Sequence, residues 1–393
     1  MSSGDVVQLR KAAGAAGDSL TGLVYRATLA RITVALDTDA AGDDLAEPLA
    51  LLKLVDETTH KRLRLGLNAL RTGTLPLAAA QTGGSFVDAP GAAPGAIRDV
   101  AFGVAPPRLL HVPPRVGDAA RLTDDEVLAE EKRMKAEAGL NAGQEEAIDF
   151  AMRCSPVACI HGPPGTGKST TIVELIRRLV VLGGAKVLAC APSNVATDNL
   201  VERLAAASFD RPRTTKGRGK ARERKQLRLV RIGHPARLHP SVLSHSLDVV
   251  IQSGDEKALA NDVRRELDAM LSGPGRRAQR RADISALRKE LIQREEAATA
   301  QAVRSADVVL CTCVGAVGWA LKSVPEFDVV IIDEAAQALE AACWLPLLRG
   351  RRAVLAGDHL QLPPIVKSSS AAAEGFGRTL FDRLAKMHGD SIL

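Results

Sequence analysis

The string GPPGTGKST at residues 162–170 is the part of the sequence whose residue types and spacing most directly indicate chemistry. It fits the phosphate-loop pattern GxxxxGK[ST] and lies between an apolar run and an amphipathic helical pattern, as such loops require. Its glycines let the backbone turn tightly, so that N–H groups converge on phosphate oxygens. Lys168 would pair with the β and γ phosphates of a nucleotide, and Ser169 would ligate Mg²⁺. The predicted site for ATP and Mg²⁺ comprises Gly162, Pro163, Pro164, Gly165, Thr166, Gly167, Lys168, Ser169 and Thr170.

Two adjacent carboxylates, Asp333 and Glu334, follow an apolar run in the string VVIIDEAAQ at 329–337. At the end of a strand, Asp333 is placed to hold Mg²⁺ and Glu334 to orient and deprotonate an attacking water. Taken alone, the pair could simply be acidic charge at a helix N-terminus. With a phosphate loop upstream, it predicts the metal-binding and catalytic carboxylates of the same site.

A third polar group follows the apolar run in AVLAGDHLQLPP at 353–364. Gly357, Asp358 and Gln361 would lie at the carboxyl end of a strand, the edge at which such sheets bind ligands. A glutamine at that edge can report on the γ-phosphate. Without the other motifs, a polar turn closed by two prolines would be the preferred interpretation.

These motifs must be positioned by alternating strands and helices in the second half of the chain. A helix is expected from Thr123, whose hydroxyl can cap it, and another over 144–152. Apolar strands are predicted at 157–161, 186–190, 227–232, 307–313, 328–333 and 352–357. Because such continuous apolar strands are covered on both faces, the pattern predicts a mainly parallel sheet in an α/β fold.

The N-terminal part has a different pattern. Short strands at 6–9, 22–28 and 31–36 predict a small β-barrel or sheet, and a helix should follow over 56–71 with Leu63, Leu67 and Leu70 on one face. A stretch rich in Gly, Pro and Ala then reads as a connection. The predicted units are a barrel with its exit helix (1–72), a connection (73–118) and an ATPase lobe (119–393).

Positive charge is concentrated in one segment. Residues 211–231 hold ten Lys and Arg against one acid, Glu223. The net positive charge of this segment is therefore larger than the +6 of the whole chain. Local positive charge of this kind neutralises phosphates and releases counterions. We therefore predict a basic segment over 208–229 that touches nucleic acid, a solvated loop being the alternative.

A helical insertion is predicted over 237–304, because apolar residues recur there at helical spacing on both sides of Gly-Pro-Gly at 273–275. The pattern favours an αα-hairpin. A solvated helical arm without contacts of its own is the alternative. The two stripes consist of Val263, Leu267, Met270 and Leu271, and of Ile284, Leu287 and Leu291.

Composition narrows the remaining classes. Aromatic residues are only 3% of the chain, which argues against a binding module built on base stacking. The six cysteines lie in apolar surroundings without zinc-ligand spacing, so they are expected to be reduced and buried. No run is long and apolar enough to span a bilayer, and no signal peptide is recognisable, which predicts a cytoplasmic or nuclear protein without membrane contact.

Seven motifs follow one another along the chain. They are LNAGQEEAI (140–148), GPPGTGKST, CAPSNVATDNLVERL (190–204), VRIGHPARL (230–238), VVLCTCVGA, VVIIDEAAQALE and LAGDHLQLPP. Together they resemble the helicases of superfamily 1B, the up-frameshift-like group. Within it, the chain looks closest to the immunoglobulin mu-binding protein two (SMUBP-type) DNA/RNA helicases. The start GDVVQLR and the N-terminal strands are similar to that group's inserted β-barrel.

The resemblance implies a RecA-like ATPase lobe of a motor that moves 5′ to 3′ along single-stranded DNA or RNA, acting as a monomer. By matched position, Gln144 would read the adenine edge and Gln361 would couple the γ-phosphate to the nucleic-acid site. Ser193, Asn194 and Thr312 would meet the backbone of the strand.

Two departures from the family pattern bear on activity. The basic run at 211–225 is longer than the family's, and the sequence ends at Leu393, where the second motor lobe would begin. The arginine fingers expected from that lobe contribute about 10³ to 10⁵ in rate in related enzymes. We therefore expect a fragment or truncated chain that binds ATP and hydrolyses it slowly. A catalytically idle nucleic-acid-binding protein is the alternative, whereas a small-molecule kinase is disfavoured by the Asp-Glu-Ala-Ala-Gln and Gly-Asp-His-Leu-Gln motifs.

Overall fold

The structure of the protein is a computed structural model, whose described residues form two larger sheets and two short two-stranded pairs. The sheet near the N-terminus has four strands, and the sheet in the second half of the chain has six. None of the helices among the described residues is long and apolar enough to cross a membrane. The described residues are 6–11, 20–27, 31–36, 49–53, 58–72, 94–117, 119, 122–207, 209–211, 223–253, 255–272, 277–322, 324, 326–358 and 360–389.

The N-terminal sheet is antiparallel throughout, with the strand order β3-β2-β1-β4. Its strands are β1 (Val6–Lys11), β2 (Leu20–Ala27), β3 (Ile32–Leu36) and β4 (Leu49–Lys53). Within the described residues the two outer strands do not pair with each other. Of the two predicted forms, a small β-barrel or a sheet, the described strands form the sheet.

Helix α1 (Thr58–Thr72) follows this sheet, as the sequence predicted. Its buried residues are Gly66 and Ala69, while Leu67 is 47% exposed. Of the three leucines predicted to share a face, Leu63 and Leu70 are partly buried against the core and Leu67 is exposed. A Cβ at position 66 would collide with Leu345, which belongs to the larger apolar core, called the main core below. The close approach of the helix to this core therefore admits only a small residue at position 66.

The stretch predicted as a connection contains secondary structure that the sequence did not reveal. Helix α2 (Pro94–Ala101) buries Ile97 and Val100 in the main core, and a short strand β5 (Arg108–Leu109) comes after it. Since both proline and glycine lie in this helix, its composition resembled that of a loop. The domain boundaries themselves stay predictions.

Two capped helices lead into the parallel sheet. Helices α3 (Asp124–Ala138) and α4 (Ala142–Arg153) each begin with a capping box, at Thr123 and Asn141. The short strand β6 (Cys154–Ser155) then pairs with β5. The cap at Thr123 confirms the predicted start of α3.

The first half of the parallel sheet alternates strands and helices. Beyond residue 207 the chain forms a two-stranded antiparallel pair on either side of residues 212–222, half of the predicted basic segment, which lie outside the described residues. The elements in order are β7 (Val157–His161), α5 (Lys168–Val181), β8 (Val187–Ala191), α6 (Asn194–Ala206), β9 (Phe209–Arg211), β10 (Glu223–Lys225) and β11 (Leu229–Arg231).

The insertion after β11 is helical. It contains α7 (Leu247–Gln252), α8 (Asp255–Ser272) and α9 (Arg277–Ser305). The last two pack together as the predicted hairpin, with Val263, Leu267 and Leu287 buried at their interface and Met270, Ile284 and Leu291 partly buried beside them.

The last elements complete a sheet whose order is β11-β12-β8-β13-β14-β7, with every neighbouring pair parallel. An apolar core lies on each face of this sheet. The predicted α/β class is thereby confirmed, and all six cysteines are free and buried, as expected. These elements are β12 (Val308–Thr312), β13 (Phe327–Ile332), α10 (Glu340–Leu347), β14 (Gly350–Gly357), α11 (Ser369–Ala373) and α12 (Leu380–Met387).

Candidate nucleotide and nucleic-acid sites

The carboxyl edge of the parallel sheet gathers the residues that the sequence singled out. Because neighbouring strands are parallel, the segments that follow them emerge on the same side. The phosphate loop follows β7, Asp333 follows β13 and Asp358 follows β14. Ser193 follows β8, and Thr312 ends β12. The fold thus provides one surface on which a nucleotide and a second ligand could be held side by side.

The phosphate loop has a backbone that only its glycines adopt without strain. Gly165 and Gly167 have φ angles of +80° and +81°, in the left-handed region. The N–H of Gly162 donates to the carbonyl oxygen of Gly357 over 3.2 Å, which joins the start of the loop to β14. The hydroxyl of Thr166 donates to the Pro163 carbonyl over 2.8 Å and braces the loop from within.

Gln144 lies directly against this loop. Its side-chain oxygen accepts from the N–H of Asn141 over 3.0 Å, and its amide nitrogen donates to the Thr166 carbonyl over 2.9 Å. A Cβ at position 167 would displace that amide nitrogen, the movable end of the side chain, so it is the φ angle that requires glycine at this position. The position of Gln144 at the loop agrees with a role beside the nucleotide, although its contact with adenine stays a prediction.

Lys168 and Glu334 form an ion pair between the phosphate loop and the end of β13. The lysine nitrogen lies 3.3 Å from one carboxylate oxygen, and the lysine side chain is only 9% exposed. The other oxygen of Glu334 accepts from the side-chain amide of Gln337 over 3.0 Å. Among the described residues, Glu334 is the only non-glycine with a positive φ, at 53°. This strained conformation of about 1–2 kcal/mol is typical of functional sites.

Asp333 is a buried acid, 5% exposed, beside that ion pair. Burial, reinforced by the adjacent carboxylate of Glu334, raises the pKa of Asp333 to about 6. Its N–H donates to the carbonyl of Cys190 over 2.8 Å, which fixes the residue against β8. Lys168 pairs with Glu334 alone, so the negative charge of Asp333 is not balanced by an ion pair of its own.

These donor groups fit Mg²⁺, which prefers oxygen ligands and retains several waters and phosphate oxygens in nucleotide sites. Asp333 supplies a buried carboxylate, and Ser169 supplies a hydroxyl at the second residue of α5. Among the described residues no cluster of three or more His, Cys, Asp or Glu could hold a metal alone. The chain would therefore hold Mg²⁺ together with a nucleotide rather than in an all-protein cage.

Asp358 joins the phosphate-loop strand to the predicted Gln361. Its carboxylate accepts from the Gln361 side chain over 2.8 Å and from the Leu360 N–H over 2.9 Å. The same hydrogen bonds, led by that from Gln361, lower the pKa of Asp358 to about 2. Because this carboxylate stays ionised, Nε2 of His161, 3.0 Å away, donates to it. Sequence reasoning missed His161, since only the pairing of β7 with β14 brings it to Asp358.

Gly357 lies where the strand ends crowd one another. A Cβ at this position would lie 2.9 Å from the N–H nitrogen of Ala336 and 3.1 Å from its Cβ. Ala336 is in the turn that follows Asp333 and Glu334, and the carbonyl of Gly357 accepts from Gly162. The absent side chain thus lets the acidic turn approach β14 closely, and the carbonyl of the same residue holds the start of the phosphate loop.

The three residues predicted to contact nucleic acid lie at the ends of two adjacent strands, β8 and β12. Ser193 caps α6, its hydroxyl oxygen accepting from the Ala196 N–H over 3.1 Å. Thr312 likewise accepts from the Gly315 N–H over 3.1 Å. The side-chain oxygen of Asn194 accepts from the buried guanidinium of Arg231 over 3.0 Å. Their roles stay predictions, and Arg231 was not singled out because an arginine within a basic run gives no signal of burial.

Comparison with known proteins identifies the family. Residues 139–369 match the AAA domain family, which covers more than half of the chain. The matched range includes the phosphate loop, the acidic pair and Asp358.

Individual relatives extend the match further. The chain is 38% identical to the DNA-binding protein SMUBP-2 of Mus musculus, across 95% of the chain and 34% of the mouse protein. It is 40% identical to the DNA polymerase alpha-associated DNA helicase A of Schizosaccharomyces pombe, across 64% of the chain and 36% of that protein. A regulator of nonsense transcripts 1 homolog of Arabidopsis thaliana is 31% identical over 63% of the chain and 18% of its own length.

The chain spans about a third of the length of the SMUBP-2 proteins it matches. The six-stranded parallel sheet of the chain is RecA-like, and a separate antiparallel sheet lies near its N-terminus. The predicted resemblance to the SMUBP-type helicases is therefore confirmed, and the chain belongs to the AAA domain family.

Proposed function

We propose that this chain is the ATP-binding lobe of an ATP-dependent helicase that moves 5′ to 3′ along single-stranded DNA or RNA. The observation that carries the proposal is the contact between Lys168 of the phosphate loop and Glu334, beside the buried Asp333. The relatives named as helicases support the activity, and SMUBP-2 is named as a DNA-binding protein. The direction, the single-stranded track, the monomeric state and the cytoplasmic or nuclear location rest on the sequence pattern alone.

Nucleotide binding follows from the loop and its lysine. The backbone N–H groups from Gly165 to Ser169 would hold phosphate oxygens at the N-terminus of α5. Bound Mg²⁺ would supply positive charge to the β and γ phosphates, held by Ser169 and Asp333. A cation there would also stabilise the ionised form of Asp333, whose raised pKa reflects an environment that disfavours its charge.

Lys168 would exchange partners when ATP binds. Without nucleotide, its ammonium group pairs with Glu334. A triphosphate carries more negative charge and would draw the lysine to the β and γ oxygens. Glu334 would then be free to accept a proton from the attacking water, while Gln337 keeps its carboxylate oriented. The ion pair therefore restricts the base until the substrate is present.

Gln361 would connect hydrolysis to the track. Asp358 holds it at the end of β14, adjacent to both the phosphate-loop strand and β13. Loss of the γ-phosphate would remove a contact of Gln361 and change the loop that follows it. The residues after β8 and β12, on the same edge, would respond through the packed strand ends.

The proposal is tested with Lys168→Ala in the chain as it stands. Loss of one charged hydrogen-bond partner should weaken binding of a fluorescent ATP analogue by about 10- to 100-fold. Lys132→Ala, an exposed lysine on α3, is the matched control and should bind as the parent does. Equal affinity for Lys168→Ala and the control would contradict the nucleotide site.

The role of Glu334 is tested by Glu334→Gln, which should retain the analogue but lower the single-turnover hydrolysis rate by about 10²-fold or more. An unchanged rate would exclude Glu334 as the base. We expect the parent chain itself to turn over slowly. An idle binding protein would instead show no hydrolysis and no effect of ATP analogues on its affinity for nucleic acid.

A further inference from the structure

Arg231, at the end of the edge strand β11, is completely buried, with 0% exposure. Its guanidinium donates to three acceptors that lie around it. These are the carboxylate of Asp198 at 2.7 Å, the carbonyl of Ile232 at 2.6 Å and the side-chain oxygen of Asn194 at 3.0 Å. A buried arginine with this set of partners holds their relative positions closely.

Asp198 makes the burial of this charge tolerable. It is 4% exposed, and its second oxygen accepts from the N–H of His239 over 2.8 Å. Opposite charges in contact offset much of the cost of removing each from water. The pair therefore forms a neutral unit inside the fold, and Asn194 is the polar group that extends from it toward the carboxyl edge.

The chemistry of arginine fixes the orientation of the Asn194 amide. A guanidinium has donors only, so the atom of Asn194 that faces it must be the oxygen. The NH₂ group, with two donors, is then left for another partner. No described residue accepts a hydrogen bond from it. Asn194 is only half-buried, so this group can be reached.

Ser193 and Thr312 show the same polarity. Each hydroxyl oxygen already accepts a backbone N–H, from Ala196 and from Gly315. A hydroxyl with an occupied acceptor retains its O–H to donate. The three side chains at the ends of β8 and β12 thus share an arrangement in which internal donors occupy their oxygens and their own donors remain.

We propose that Arg231 is a positioning residue for nucleic-acid binding, which acts by holding Asn194 so that its N–H donors meet a phosphate of the bound strand. Phosphate oxygens are pure acceptors and match a surface that offers donors. The inference rests on the proposed function, because it assumes that a single strand occupies this edge. It adds the residue that sets the donor polarity of Asn194 on that surface.

Asn194→Asp separates donor polarity from packing. An aspartate would still accept from Arg231 but would have no N–H to give. We expect its affinity for a fluorescent oligo-deoxythymidine to fall about tenfold or more relative to the parent, at fixed salt. Affinity for an ATP analogue and the thermal unfolding midpoint should stay unchanged. Asn199→Asp, an exposed asparagine on the same helix, makes the same change of charge and serves as the control.

The part played by Arg231 is tested by a double-mutant cycle. Arg231→Met alone leaves Asp198 unpaired, so Arg231→Met is made together with Asp198→Asn, which keeps an acceptor for His239. This pair of changes should lower oligonucleotide affinity about tenfold in the parent. It should have little further effect when Asn194 has already been replaced by Ala, because the lost contact is then absent.

The outcomes distinguish the inference from the proposed function. If the parent chain shows no salt-dependent binding to the oligonucleotide, the proposed function fails and this inference with it. If the parent binds but Asn194→Asp behaves like Asn199→Asp, only the inference fails. An equal loss on changing Arg231 with and without Asn194 would likewise overturn it.

Discussion

The carboxyl edge of the parallel sheet and the interface between α4 and α5 both contain buried charges, but the two regions balance them differently. Between the helices, Arg178 is 1% exposed and makes two hydrogen bonds of 2.7 Å to Glu145 and one of 3.0 Å to Glu174. At the carboxyl edge, Asp333 is 5% exposed, and the adjacent Glu334 carries a charge of the same sign.

The pKa shifts express this difference. Burial alone would lower the pKa of Arg178, yet the hydrogen bonds to Glu145 and Glu174 raise it. The hydrogen bonds that Arg178 donates to Glu145 in turn lower the pKa of Glu145. Asp333 shows the opposite behaviour for an acid, because burial and a like charge raise its pKa to about 6. The helix interface stabilises the fold, whereas the sheet edge retains an unfavourable charge that a cation could relieve.

The strongest test of this contrast is Arg178→Met. Removal of the guanidinium leaves Glu145 without its hydrogen-bonded cation and Glu174 with Arg177 alone, so the free energy of unfolding should fall by about 3–5 kcal/mol. Urea denaturation at pH 7 measures it. Arg265→Met, which removes an exposed ion pair with Asp262, should change stability by less than about 1 kcal/mol. A loss at Arg178 no larger than that at Arg265 would remove the distinction between the two regions.

At the sheet edge, Asp333→Asn should raise the free energy of unfolding, whereas Arg178→Met should lower it. An acid with a raised pKa costs nothing below its unfolded value, 3.8, and its cost grows until the pH passes about 6. The nucleotide-free Asn variant should therefore be more stable than the parent at pH 8 by about 2–3 kcal/mol. The two should converge below pH 4.

Asp358→Asn provides the control for that measurement. Because its pKa is lowered to about 2, Asp358 contributes stability above pH 4 that is lost as the pH falls toward 2. Its replacement should therefore destabilise the protein at pH 8. If Asp333→Asn also destabilised at pH 8, the charge at the sheet edge would not be the unfavourable one.

The smallest expected effect concerns backbone strain at Glu334. Both Glu334→Gly and Glu334→Ala remove the contact with Lys168, but only glycine relieves the φ of 53°. The Gly variant should be more stable than the Ala variant by about 1 kcal/mol. Thermal unfolding of the two proteins side by side measures the difference. Equal stability would mean that this turn stores no strain.

The sequence predicted the parts of the site that depend on local pattern. The phosphate loop, Asp333 and Gln361 each follow an apolar strand, and strand-helix alternation implied that the strand ends share one edge. The cap at Thr123 likewise located the start of α3. These features need only the residues within a turn or two of each other.

The remaining features depend on contacts between distant parts of the chain. His161 meets Asp358 only because β7 pairs with β14, and Arg231 reaches Asn194 only because β11 takes the edge of the sheet beside β12. Helix α2 was missed since its stability comes from burial of Ile97 and Val100 in the main core rather than from its composition. Leu67 has the helical spacing of Leu63 and Leu70 but is exposed, whereas Gly66 is buried because the helix packs closely against Leu345.

Gly357 shows how a residue without a side chain can limit variation in the chemistry around it. It receives the turn that bears Asp333 and Glu334, and it accepts the first N–H of the phosphate loop. A methyl group added there would press on the backbone of Ala335 and Ala336, so the turn that bears Glu334 would have to move away from β14 and from the phosphate loop beside it. Under the proposed mechanism, alanine at this position should therefore lower the hydrolysis rate even though residue 357 contributes no side chain to the reaction.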